Sequence, residues 1–215
     1  MAAADFWSLL GGAFMTIAIS FTAIVIGAPA GLLLAVVRWR RLAVLDGAAA
    51  VLVSVLRATP SVTLVLLLYF ALPAAGFELS RFWAAVMTLA LGTTAFNCEI
   101  WRAALLAFPR DQLDAAAAVG MTHWRAFRRV VLPQIVRGAL PALVNETTLL
   151  IKVSPAVAVI GLVETTRAAV RIGAQTYEPI PPFLGALLIY GAIIGGLLLL
   201  QRWCERRQAS AWAAA

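Results

Sequence analysis

The charged residues of this 215-residue chain are clustered, and between the clusters lie apolar runs of about 20 residues, the length at which a helix crosses roughly 30 Å of hydrocarbon. Only 13% of the residues are charged and 63% are hydrophobic. A water-soluble domain carries about a quarter charged residues to solvate its surface, so the solvent that suits this sequence is a lipid bilayer. There, each backbone polar group must be satisfied inside its own segment or in a closed barrel. The runs lack the period-two alternation of barrel strands, and helices are therefore expected. The predicted fold is an all-α integral membrane protein, one domain over residues 1–215, with five transmembrane helices near 14–37, 56–72, 82–106, 139–162 and 182–203.

The N-terminus carries no basic region and the first apolar run is long, so that run reads as a permanent span and not a cleaved leader. Before it, the segment from Ala2 to Gly12 reads equally as a short interfacial helix or as an extension of the span. Basic residues are retained on the cytoplasmic side of a membrane. The connections after the first, third and fifth spans carry 13 arginines, and the opposite connections only Arg81, Arg167 and Arg171. Five spans then put the N-terminus in the periplasm and the C-terminus in the cytoplasm. The same asymmetry accounts for the net charge of +7, which gives no support to nucleic-acid binding. Cys98 and Cys204 lie where no disulfide is expected, and they offer no metal-ligand spacing. His123 has no second ligand nearby and reads as a surface or interface residue, so no metal site is expected.

The longest polar interruption, 109–138, is cytoplasmic by the charge argument. Arg110 to Val119 is alanine-rich, carries Asp111 and Asp114 near its start, and meets Gly120 where a helix would end. A second amphipathic stretch follows, with Trp124, Phe127, Val130 and Val131 apolar and Arg125, Arg128 and Arg129 polar. Pro133 is expected to close it.

Asp114-Ala115-Ala116, then Gly120, then Val130, Leu132 and Pro133 keep every spacing of a known pattern: Glu-Ala-Ala, three residues, Gly, nine residues, Ile, one residue, Leu-Pro. The segment thus resembles the EAA loop of the permease subunits of bacterial binding-protein-dependent ABC importers, with Asp for Glu and Val for Ile. Three further stretches are similar to the polar amino acid permeases of the histidine, glutamine and arginine type. These are Arg57-Ala58-Thr59-Pro60, Asn97 to Arg102 with Glu99 and Arg102, and Leu149 to Gly161. The last departs from the family's Asp-Thr-Ser, reading Val153, Ser154 and Pro155, which bears on the solute more than on the class.

The resemblance implies a type I importer fold in the bacterial inner membrane and a coupling helix that docks on an ATP-binding subunit dimer through Asp114, Ala115, Ala116 and Gly120, with Leu132 and Pro133 completing the pattern. It also implies a second, identical or homologous permease subunit and a periplasmic amino-acid-binding protein. The chain has no phosphate-cradling Gly-x-x-x-x-Gly-Lys-Ser/Thr, since its one lysine, Lys152, follows an apolar run. It is therefore read as a transport subunit and not an enzyme, binding no cofactor itself, with ATP and Mg on the partner. Three rivals are an ABC permease for another small solute, a motor-independent secondary transporter or channel, and a membrane assembly or scaffold protein, against which the intramembrane charges of Glu146 and Lys152 count.

Ionisable residues inside spans usually face a cavity or a partner, so the candidate substrate path takes in Glu99, Asn145, Glu146, Lys152 and Ser154. Glu99 and Arg102, three apart, read first as a local ion pair. Glu146 is expected to meet a cationic or amino group of the solute or to join a polar cluster. Lys152 would meet a carboxylate, Glu146 or a neighbouring subunit. Pro155 is expected to free a backbone carbonyl near Ile151. Arg57, Thr59 and Pro60 read as structural, Pro60 in a first helical turn and Thr59 as its cap. Gly27 with Gly31 and Gly191 with Gly195 are expected at helix contacts, within the subunit or across a dimer.

Overall fold

The computed structural model of the chain describes residues 3–40 and 43–213, and every regular element in them is helical. Ala2, and Arg41 among the 13 arginines counted above, lie outside the described residues. Helix α1 (Ala3–Trp39) has 37 residues. At 1.5 Å per residue it is about 55 Å long, well beyond the hydrocarbon thickness. The segment ahead of the first expected span is therefore its extension and not a separate interfacial helix.

α1 packs along α4 (Arg81–Leu106), the central helix of the bundle. The contact is close because Ala23, Gly27, Gly31 and Ala35 recur every four residues on one face of α1. A Cβ on Gly27 would stand 2.8 Å from the Ala90 carbonyl oxygen, and one on Gly31 2.9 Å from the Thr94 carbonyl oxygen. In lipid, where apolar surface gains little by leaving its solvent, such backbone approach supplies the attraction. Ser80 caps α4, its hydroxyl accepting the Trp83 N–H at 3.4 Å.

Where a straight second span was expected at 56–72, the chain forms two helices, α2 (Ala43–Ala58) and α3 (Ser61–Ala74), bent by 106°. Thr59 and Pro60 are the elbow. Pro60 has no N–H to continue α2, and its ring disfavours helical geometry at Thr59. Pro60 thus precedes α3 instead of lying in its first turn, and Thr59 finishes α2, its hydroxyl donating to the Val55 carbonyl at 2.8 Å.

The segment between the third and fourth expected spans contains α5 (Arg110–Ala118) and α6 (His123–Ala126). Pro133 does not close the second amphipathic stretch. A π-helical turn (Phe127–Val131) joins α6 to α7 (Leu132–Val153), which passes through a 3₁₀ turn (Ser154–Ile160), so the chain is helical from 123 to 160. In an α-helix the Pro133 ring would strike the carbonyl four residues back; the wider π turn just ahead of it makes the room. Residues 123–138 are consequently a continuation of the fourth expected span, and that span leaves α geometry at Ser154.

The connection between the fourth and fifth expected spans, 163–181, holds α8 (Thr165–Thr176) instead of a simple loop, and α9 (Ile180–Ala213) follows it. Among the described residues, three stretches, Ala4–Trp39, His123–Ile160 and Ile180–Arg206, are long and apolar enough to cross a membrane, and α2 with α3 would make a fourth if taken as one bent span. α4 has the length for a span at 26 residues, but Thr88, Thr93, Thr94 and Asn97 give its buried face a polar character.

Candidate functional site

Helix α5 ends on Gly120, which has φ +73°. The Gly120 N–H reaches the Ala117 carbonyl at 2.9 Å and the Met121 N–H the Ala116 carbonyl at 3.0 Å. This paired closure satisfies carbonyls that a helix end otherwise leaves open, and it needs a left-handed residue at position 120. A Cβ there would meet nothing within 4 Å, so the glycine is present for its backbone conformation and not for space. Thr122 then caps α6, its hydroxyl accepting the Arg125 N–H at 3.4 Å.

Ala116 is the buried member of the Asp114-Ala115-Ala116 triplet, while Asp114 and Ala115 are exposed. Asp114 borders a cavity of about 360 Å³ shared with Trp39, Arg40, Met121 and His123. Leu132 packs against the buried cluster that includes Val131 and Ile135, and Pro133 is exposed. The Gln134 amide donates to the Gln112 side-chain oxygen at 2.6 Å, which ties α5 to α7.

Within the bundle, Glu146 is 8% exposed and makes no hydrogen bond or ion pair among the described residues. It faces a cavity of about 240 Å³ between α3, α4 and α7, lined also by Ser61, Thr88, Thr93, Phe96 and Val153. The Thr93 hydroxyl is likewise buried without a partner. An uncompensated carboxylate at this depth is costly and points to a ligand or an exchangeable partner. Arg57 stands beside the cavity, its guanidinium 5.4 Å from the centre of the Phe96 ring, a cation–π contact.

Of the five residues expected on the substrate path, Glu146 alone lines this cavity. Asn145 and Lys152 lie on the exposed face of α7. Lys152 is six residues from Glu146, roughly 240° around the helix, so it does not neutralise that carboxylate. Ser154 is fully buried, and its hydroxyl donates to the Ile151 carbonyl at 2.8 Å. That carbonyl also accepts the Ser154 N–H, so the break at Pro155 leaves it occupied and not free. Glu99 sits near the C-terminal end of α4, where Oε2 accepts Arg102 Nη2 at 2.7 Å and Oε1 accepts Arg38 Nη1 from α1. The expected local pair with Arg102 is present, inside a larger cluster that Asp46 of α2 joins through Arg38 at 3.5 Å.

Sequence reasoning missed Arg38, Thr88, Thr93 and Glu164. Thr88, Gly92, Thr93 and Phe96 recur at helical spacing, so a polar stripe within an apolar span was a usable signal. Glu164 gave no such signal. It is fully buried and caps α8, accepting the Arg167 N–H at 2.6 Å, the Thr166 N–H at 2.7 Å and the Tyr190 hydroxyl at 2.9 Å. With the Thr165 N–H bound to the Thr16 hydroxyl at 3.2 Å, α8 is fastened to α1 and α9.

Residues 27–210 match the family described as "Binding-protein-dependent transport system inner membrane component". The chain is 39% identical over 155 residues to the arginine transport system permease protein ArtQ of Bacillus subtilis (strain 168), covering 72% of this chain and 71% of that one. It is 33% identical to the glutamine transport system permease protein GlnP of Escherichia coli (strain K12), covering 93% and 92%. It is also 33% identical to the L-cystine transport system permease protein TcyB of Bacillus subtilis (strain 168), covering 94% and 88%. A solved amino acid ABC transporter with histidines superposes with a TM-score of 0.83 at 34% identity, covering 93% of this chain and 94% of that one. The methionine ABC transporter MetNI in an inward-facing conformation shares the fold, with a TM-score of 0.76 at 24% identity over 96% of this chain and 99% of that one. With 184 of its residues inside the family match and these permeases aligned over most of its length, the chain belongs to the family of inner-membrane components of binding-protein-dependent transport systems.

Proposed function

We propose that this chain is the membrane-spanning subunit through which an amino acid, delivered by a separate periplasmic binding protein, enters the cell. The observation that carries the choice of solute is the Glu146 carboxylate, buried without a partner in a cavity of about 240 Å³. Pockets for drug-sized ligands measure about 300–1,000 Å³, so this one suits something smaller. An anionic group in an apolar wall would receive the amino group that every amino acid carries. The names of the arginine, glutamine and cystine permeases above agree with this reading. Lys152 and Asn145, on the exposed face of α7, would face a second copy or a similar subunit across the path, because a lysine left against lipid is unfavourable. Ser154 and Glu99 act on the path from outside the cavity, by shaping α7 and α4.

The work is supplied from outside the chain. α5, closed by Gly120, is the element that docks on a separate ATPase dimer, with the exposed Asp114 and Ala115 at the contact. Ala116, expected at the contact, is buried and instead seats α5 on this subunit, with Leu132 and Pro133 behind it. ATP and Mg belong to that partner, and this subunit performs no chemistry. Its N-terminus lies in the periplasm and its C-terminus in the cytoplasm, in keeping with the arginine count. ATP binding shifts the membrane subunits between inward-open and outward-open states, and solute crosses because the motor biases that equilibrium.

The test is reconstitution into vesicles with the ATPase and binding protein that co-purify from the native membrane. Labelled amino acid bound by that binding protein should accumulate only with ATP and all components present. Equal uptake in vesicles holding the chain alone would instead make it a motor-independent transporter or channel.

A further inference from the structure

Glu99 uses its two oxygens on two different helices: Arg102 lies in α4 itself, while Arg38 is the last-turn arginine of α1. Arg102 alone would suffice to neutralise the carboxylate. Arg38 in turn reaches Asp46 in the first turn of α2. The result is a cluster of two acids and two bases that joins three helix ends. Its four side chains are between 15% and 37% exposed, so water screens it only in part.

Two features place this cluster between the coupling segment and the cavity. On one side, α4 leads into α5 through residues 107–109 alone, and Trp101 and Leu105 of α4 pack in one cluster with Val131 and Leu113 of the coupling segment. On the other side, α2 is held to the cluster at its start by Asp46 and to Phe96 at its end by Arg57. The elbow that follows leads directly to Ser61, which lines the cavity with Phe96 and Glu146.

We propose that Glu99 is a positioning residue of the transport cycle: by gripping Arg38, and Asp46 through it, it makes the cytoplasmic ends of α1, α2 and α4 move as one body, so that displacement of α5 reaches the cavity wall. The proposal rests on the ATP-driven reading above. It assigns the interhelical bond to Arg38 the transmitting role and the bond to Arg102 a local one. A merely structural cluster would make no such distinction.

The experiment measures, in vesicles holding the complete importer, both ATP hydrolysed and amino acid accumulated. With Arg38→Gln or Glu99→Gln, hydrolysis should persist while solute moved per ATP falls about ten-fold, within the range by which residues remote from ligands alter coupling. Arg102→Gln and the conservative Arg38→Lys should keep the wild-type ratio. An unchanged ratio in Arg38→Gln and Glu99→Gln overturns the proposal, as does a parallel fall of uptake and hydrolysis. If those two variants fail to assemble, Asp46→Asn decides: a lowered ratio supports the proposal and a wild-type ratio overturns it. Absence of ATP-dependent uptake by the wild-type complex would sink the transport reading and this proposal together, whereas wild-type uptake with coupled variants sinks this proposal alone.

Discussion

The closure of α5 can be perturbed at a single atom. Gly120 sits at φ +73° with open space around its missing Cβ, so substituents there are ranked by their tolerance of left-handed geometry and not by volume. A Cβ in that region costs about 1–2 kcal/mol for an ordinary residue, and asparagine is the residue other than glycine that visits it routinely. Gly120→Asn should therefore be nearly neutral, Gly120→Ala should cost roughly 1–2 kcal/mol, and Gly120→Val should cost more because its branched Cβ restricts the backbone further. What is lost is the pair of bonds to Ala117 and Ala116, so the effect is read locally. Hydrogen exchange at the Gly120 and Met121 amides of the reconstituted chain should speed up by about 5- to 30-fold in Gly120→Ala and by little in Gly120→Asn. Uptake per ATP should fall in the same order. A ranking by size, with alanine better tolerated than asparagine, would refute the reasoning.

Other outcomes follow from the packing and the cavity. Gly31→Leu forces side-chain atoms into the Thr94 and Cys98 backbone and the Asn97 Cβ and should destabilise the purified chain by at least about 1–3 kcal/mol, seen as a lower melting temperature in detergent; an unchanged melt would contradict the close α1–α4 contact. Glu164→Ala removes the cap of α8 and takes from the Tyr190 hydroxyl its carboxylate acceptor, a loss of about 1–3 kcal/mol measurable in the same assay. Glu146→Gln keeps the shape of the cavity but removes the charge. Uptake should drop by about ten-fold or more, on the scale of a hydrogen bond to a charged group, while basal ATP hydrolysis by the complex persists.

Features set by local chemistry were legible in the sequence. α4 begins and ends within one residue of the expected 82–106, because Ser80 caps it and Ala107–Pro109 ends it. The α5–Gly120 turn was legible for the same kind of reason: alanines favour helix, and glycine alone enters the left-handed region at little strain. Features set by what arrives from elsewhere in the chain were not. Pro60 was visible, but a 106° elbow depends on α2 packing against α4. Pro133 read as a terminator because a π turn ahead of it leaves no local signature. Arg38 and Glu99 are 61 residues apart, and Glu164 and Tyr190 26 apart, so neither pairing could be read from spacing. Glu146 was picked out as a charge within a span, yet the threonines and Phe96 that make its cavity belong to another helix.

The claim on which the rest depends is that a motor grips this subunit from the cytoplasm through α5. It is tested most directly by placing one cysteine at the exposed Ala118, with Cys98 and Cys204 replaced by serine, and labelling it with a membrane-impermeant maleimide in oriented vesicles. The account predicts labelling from the cytoplasmic side alone, and protection once the ATPase is bound. Labelling from the opposite side, or a rate indifferent to the ATPase, would contradict it.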